Sequence, residues 1–233
     1  MTEPRTIAID GPASSGKSTI GRLLAERLGY LFFDTGAMYR AVTWAALQRG
    51  VPLDDPAALT ALAESLPVSI RSPASTDNDG RAYSVFVADR DVTWEIRRPE
   101  VEAAVSAVSA GPGVRRALVE QQCRVAETVG AIYGPAGIVM AGRDIGTVVL
   151  PQADLKIYLD AGPQERARRR FNEQAARGGT ATYEETLQDI LRRDRIDSTR
   201  AASPLRPADG AVRILTDGLS VEKVLGQVLS AAL

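Results

Sequence analysis

The sequence predicts an α/β fold, a parallel sheet layered between helices. Two observations predict it: short apolar runs alternate with amphipathic helical runs, and the first apolar run breaks into a glycine-bounded loop that opens a helix. Thr6–Asp10 reads as a buried strand and the helix after the loop, Lys17–Leu28, repeats Ile20, Leu23, Leu24 and Leu28 at helical spacing before Gly29 stops it. Residues 30–33 read as a second strand and 36–49 as a second amphipathic helix. Further strands are expected at 137–141, 155–159 and 212–216, and a last helix from Val221 to about Ala232.

Two segments interrupt this rhythm. In 66–92, strand-like runs at 68–71 and 82–88 flank a turn-forming stretch, 72–80, and 99–129 reads as two helices broken at Gly111, Pro112 and Gly113. Together they form an expected insertion between the second and third core strands. The other segment, 162–206, reads as helical with a break at Gly178 and Gly179, and holds ten of the 25 arginines.

Composition restricts the chemistry. The chain has no histidine and one cysteine, Cys123, which excludes histidine-based triads, Cys/His zinc sites and an internal disulfide. Cys123 falls in a helical run and reads as a small buried hydrophobe. Any enzyme built from this chain works by positioning, by charge, or with a metal held through oxygen. No run of about 18 apolar residues is present to span a membrane, and residues 1–10 lack the layout of a secretory signal. A cytoplasmic protein is therefore expected. With 28 basic against 29 acidic residues the charge is balanced; composition by itself proves nothing about nucleic acid, and no nucleic-acid partner is expected. No heptad or wide apolar stripe calls for a dimer, and a monomer is expected.

The residues Gly11, Pro12, Ala13, Ser14, Ser15, Gly16, Lys17 and Ser18, followed by Thr19, match the P-loop pattern in full, after a strand and opening a helix. Glycines let backbone N–H groups converge on phosphate, and the helix presents its positive end to the same anion. Lys17 is expected to bridge the β- and γ-phosphates of a triphosphate, and Ser18 to ligate Mg²⁺. Two further clusters open onto the same expected crevice at the carboxyl ends of the strands. Residues 34–40 place Thr35 and Arg40 there, and the glycine-flanked loop 142–147 adds Arg143 and Asp144. In the arginine-rich segment, Arg166, Arg168, Arg169 and Arg170 lie on one expected helix. Arg192, Arg193, Arg195 and Arg200 lie on another. Such runs mean either a solvated face or a lid that brings guanidinium groups onto a transferring phosphoryl group. An enzyme without histidine can catalyse that transfer through Lys, Arg and Mg²⁺.

Five strings, at 7–19, 34–40, 142–149, 156–161 and 193–205, resemble the bacterial cytidylate kinases and in order cover nearly the whole chain. The resemblance implies a P-loop NTPase-like three-layer sandwich with a five-stranded parallel sheet, a monophosphate-binding insert and a short helical lid. It divides the chain into a core (1–65 and 134–233), an insert (66–133) and a lid (162–183). It implies ATP as phosphate donor, with Mg²⁺, and CMP and dCMP as acceptors. Thr35, Arg40, Arg143 and Arg200 are then expected at the acceptor, with Ser106, Arg115 and Asp144 reading the cytosine ring and Arg193 and Asp197 holding the sugar. Lys17, Arg143 and Arg200 are the expected catalytic residues. Arg166, Arg169 and Arg170 join the P-loop in binding ATP. Adenylate, guanylate, uridylate and shikimate kinases are the alternatives among enzymes, and a nucleotide switch or nucleic-acid-binding module outside them. A GTPase switch would carry an Asn-Lys-x-Asp string, and none is present.

Overall fold

The computed structural model describes residues 4–132, 137–176 and 178–232. Expectations that fall on 1–3, 133–136, 177 and 233, among them the boundary between insert and core, lie outside the described residues.

Five strands, β1 (Thr6–Asp10), β2 (Leu31–Asp34), β6 (Ile138–Gly142), β7 (Leu155–Asp160) and β8 (Val212–Leu215), form one parallel sheet in the order β2-β6-β1-β7-β8. β1 matches its expected span and the other four differ by one residue at one or both ends, because apolar content marks the buried part of a strand and not its last paired residue. Asp10 pairs in register with Gly142, and Asp34 with Ala141. The carboxyl ends of β2, β6 and β1 therefore finish level, and the loops leaving them share one edge.

Helix α1 (Lys17–Leu28) buries Ile20 and Leu24 and ends at Gly29, whose left-handed φ of 67° lets its N–H reach Ala25 and Glu26 carbonyls. A side chain at Gly21 would meet the Phe32 ring at 2.6 Å, so this glycine sets how closely α1 approaches β2. Helix α2 (Thr35–Gln48) starts one residue earlier than expected, because Asp34 caps it by accepting the Gly36 N–H. Helix α3 (Pro56–Ser65) was not anticipated, although Asp55 and Pro56 form a good start: the Asp55 carboxylate accepts from the N–H groups of Ala57 and Ala58.

The inserted segment forms a small antiparallel sheet of β3 (Val68–Arg71), β4 (Ser84–Val87) and the two-residue β5 (Arg90–Asp91). A single turn of 3₁₀ helix at Glu95–Arg97 leads into α4 (Pro99–Ala110) and α5 (Pro112–Ile132), divided at Gly111. Its apolar residues do not form a separate core. Val101, Val105 and Leu118 belong to the same buried cluster as Ile7, Ile9 and Met140 of the central sheet.

After β6, residues Ile145–Val149 form a π-helical turn that periodicity cannot reveal. Cys123 is half-buried, and its thiol donates to the Val149 carbonyl at 3.3 Å. Helices α6 (Pro163–Ala176) and α7 (Tyr183–Thr199) pack together over a second, smaller apolar cluster of Ala13, Ala167 and Ile190. Thr182 and Glu185 form a capping box that starts α7. The expectation of helix through 206 is corrected here. Arg200 caps α7 in extended geometry, and the Leu205 N–H returns to the Asp197 carbonyl, which folds the chain back. Helix α8 (Val221–Ala232) closes the fold against α1.

Candidate active site

The P-loop leaves β1 through Gly11, where a Cβ would come within 2.1 Å of the Leu159 carbonyl oxygen. Gly16 enters α1 at φ 95°, a conformation that glycine adopts without strain. No side chain caps α1 and no acidic residue lies in its first turn among the described residues. Its leading N–H groups are therefore left for an anion. Lys17 folds over the loop, donating to the Pro12 carbonyl at 2.5 Å and to Ser15 Oγ at 3.3 Å. Burial holds its ammonium well below the usual lysine pKa, and nearby Arg143 adds to this against Asp34, Asp10 and Asp197.

A cavity of about 380 Å³ runs from this loop along the level strand ends. Ala13, Ser14, Gly16, Lys17, Ser18 and Thr19 line one end. The other end is built from several separate stretches. Thr35 and Arg40 come from the start of α2, Ser106 and Arg115 from α4 and α5, and Arg143 and Asp144 from the loop after β6. Arg193, Asp197 and Arg200 reach it from α7 and its end, and Arg169 and Arg170 from α6. Gly11, Pro12 and Ser15 belong to the loop but do not line the cavity.

This second end is rich in positive charge whose partners are incomplete. Arg115 and Asp144 form an ion pair at 2.5 Å, each side chain 3% exposed. Asp197 accepts from Arg143 at 2.9 Å and from Arg200 at 3.2 Å. Yet Nη2 of Arg200 and Nε of Arg40 and Arg115 are buried with no partner among the described residues. Burial and the neighbouring Arg115 lower the pKa of Arg200, and burial and Arg143 lower that of Arg193. Cations that depress one another around an enclosed space are a site for a polyanion, which would relieve that repulsion. Thr35 donates to the Ala141 carbonyl at 2.9 Å and so ties α2 to β6 beside Gly142.

Arg143 and Asp144, adjacent in the loop, each find a partner on another element, Asp197 and Arg115. One sequence expectation is revised. Arg166 does not face the cavity. Its guanidinium is spent inside the protein on the Ala161 and Ala13 carbonyls and on Asp194, at 2.6–3.2 Å, and it braces the P-loop against α6 and α7. Arg170 lines the cavity but pairs with Glu102 of α4, and Arg169 donates to Thr216. Sequence reasoning missed Asp34 and Arg97, which also line the cavity. The position of Asp34 at the end of a strand beside the P-loop was a usable signal; nothing local marked Arg97.

Among the described residues no three acidic, histidine or cysteine side chains gather as a metal cluster. What is present suits Mg²⁺ held mainly by phosphate and water: the Ser18 hydroxyl, facing the cavity, with the Asp34 carboxylate 2.9 Å away.

Comparison with known proteins shows the family. The model of the cytidylate kinase family matches residues 7–232. The chain belongs to the cytidylate kinase family. It is 48% identical to the cytidylate kinase of Roseiflexus castenholzii, over 99% of this chain and 94% of that one. It is 50% identical to that of Herpetosiphon aurantiacus (98% and 94% covered) and 43% identical to that of Bacillus pumilus (100% and 97%). Each string that carried the resemblance in sequence lies within the matched region, and residues of four of them, at 7–19, 34–40, 142–149 and 193–205, line the cavity. Among the described residues no helix is long and apolar enough to cross a membrane.

Proposed function

We propose that this chain transfers the γ-phosphoryl group of ATP to CMP and dCMP, in line and with Mg²⁺. One observation carries the reading: a single cavity holds an uncapped P-loop at one end and a buried Arg115–Asp144 pair, with Ser106, at the other. In this reading the loop N–H groups and Lys17 hold the triphosphate, with Arg169 and Arg170 closing over it. Arg40, Arg143 and Arg200 bind the acceptor phosphate, and Arg143 and Arg200 with Lys17 stabilise charge on the transferring group. Mg²⁺, ligated by Ser18, would neutralise the charge of the β- and γ-phosphates.

Thr35 positions the acceptor, while Arg193 and Asp197 hold its sugar hydroxyls. Asp144 accepts from the cytosine amino group, and Ser106 and Arg115 satisfy the ring edge. Uracil would set a carbonyl oxygen against the Asp144 carboxylate, leaving buried groups unpaired. Residues 66–133 act as the acceptor-binding insert and 162–183 as a lid that excludes water. The chain works as a cytoplasmic monomer on free nucleotides, with no nucleic-acid partner.

A coupled spectrophotometric assay with CMP, dCMP, UMP, AMP and GMP tests this. CMP and dCMP should be phosphorylated best, and chelation of Mg²⁺ should abolish turnover. Preference for AMP, GMP or UMP would overturn the assignment.

A further inference from the structure

The small antiparallel sheet sends one side chain into the strand-end cluster without reaching the cavity itself. Tyr83, at the entry to β4, is 2% exposed. Its ring packs near Phe32, with centroids 6.0 Å apart, and under the Arg97 guanidinium at 5.3 Å. The hydroxyl does what packing alone would not require. It donates to Asp34 Oδ2 at 2.9 Å and accepts from Arg40 Nη2 at 3.2 Å. The same carboxylate oxygen accepts from Ser18 Oγ at 2.9 Å, while its direct separation from Arg40 is 3.6 Å, beyond hydrogen-bond reach.

We propose that Tyr83 is a positioning residue: its hydroxyl spaces Arg40 from Asp34, and so holds the acceptor-phosphate arginine and the P-loop serine in one directed hydrogen-bond chain. The inference rests on the assignment of Arg40 to the acceptor phosphate. The chain runs from Arg40 through Tyr83 to Asp34, and from Ser18 to Asp34. Ser18 spends its proton on the carboxylate, which leaves its oxygen lone pairs for the cavity. Burial pushes the Tyr83 phenol up to about 12, so it stays a donor at neutral pH. Without the hydroxyl, Arg40 can close the gap to Asp34, form a direct pair with it and withdraw from the phosphate.

The test is Tyr83→Phe, which keeps the ring and removes the bridge. Calorimetric titration without ATP should show CMP binding roughly tenfold weaker, with cytidine, which has no phosphate, bound as in wild type. Steady-state KM for CMP should rise by a similar factor and KM for ATP stay within about twofold. In an Arg40→Met background the same substitution should change CMP binding no further. Unchanged CMP binding by Tyr83→Phe, or equal weakening for CMP, cytidine and ATP in step with a lower thermal midpoint, would overturn the proposal. If Tyr83→Phe does not fold, Asp34→Asn serves instead: it removes the charge that would draw Arg40 in while an amide oxygen can still accept from Tyr83, so CMP binding relative to cytidine must stay at least as tight as in wild type, and a selective loss of CMP binding would overturn the proposal. Wild-type protein that binds no CMP would overturn the functional reading itself, a separate result.

Discussion

The two ends of the cavity are built differently. The P-loop end is one continuous stretch, Gly11 to Thr19, shaped by backbone: a loop that turns on two glycines and a helix start left uncapped. The opposite end is assembled from α2, α4, α5, the loop after β6 and α7, spread between Thr35 and Arg200, and its shape depends on side chains that must first find one another. A backbone-built site depends little on distant packing, whereas a side-chain-built site inherits every change in the elements that carry it. Substitutions at the two ends should therefore fail in different ways.

The largest expected effect lies at the continuous end. Lys17→Ala should lower turnover by about 10³-fold or more and leave the unfolding transition nearly unchanged, since a buried cation with a depressed pKa contributes little to folding. Near-normal turnover would remove Lys17 from its role. At the assembled end, Asp144→Ala should cost stability as well as selectivity. It leaves Arg115 buried and unpaired, a loss of about 3 kcal/mol by chemical denaturation, and discrimination between CMP and UMP should fall with it. Unchanged discrimination would refute base reading by this pair.

A smaller effect is expected for Arg200→Lys. The ammonium keeps the charge but cannot serve the Ser203 carbonyl, Asp197 and a phosphate through one planar fork. KM for CMP should rise roughly tenfold, with KM for ATP little changed.

An effect on stability alone is expected at Asp10, which joins the two ends. At the end of β1 it accepts the Ile145 and Gly146 N–H groups at 2.8 and 2.7 Å, fixing the loop that carries Arg143 and Asp144. Burial pushes its carboxyl up to about 6 against the pull of those two N–H groups. The folded chain thus holds this proton more tightly than the unfolded one. The resulting stability is complete below the ordinary value of 3.8 and lost as pH rises through about 6. Asp10→Asn carries no titrating proton there. Compared with wild type it should be least stable near pH 4 and recover by about 2 kcal/mol above pH 6. A stability difference that does not vary between pH 4 and 7 would refute the shift.

Much of the frame was legible in the residues. The five core strands, α1 with its Gly29 stop, and the division of the insert into a strand pair and two helices follow from apolar spacing and from Gly and Pro. Helix α3 was missed despite its Asp55–Pro56 start, because its ten residues are short and bury only Leu59, Leu62 and Ala63. The π-helical turn and the end of α7 at Thr199 were hidden for another reason: each is settled by a distant partner and not by a local pattern.

By itself the sequence determined the phosphate-binding loop, the absence of histidine chemistry, and the set of arginines from which an anion site could be made. These depend on residue type and near neighbours, and both are visible in a string. Only the tertiary structure decided which arginines face the cavity. It turned Arg166 inward as a brace, parted Arg143 from Asp144 to pair them with Asp197 and Arg115, and brought Tyr83 and Asp34 beside Ser18. A guanidinium can satisfy itself on any carboxylate or carbonyl that packing brings near. Its role is therefore set by the level ends of β2, β6 and β1 and by the helices laid across them.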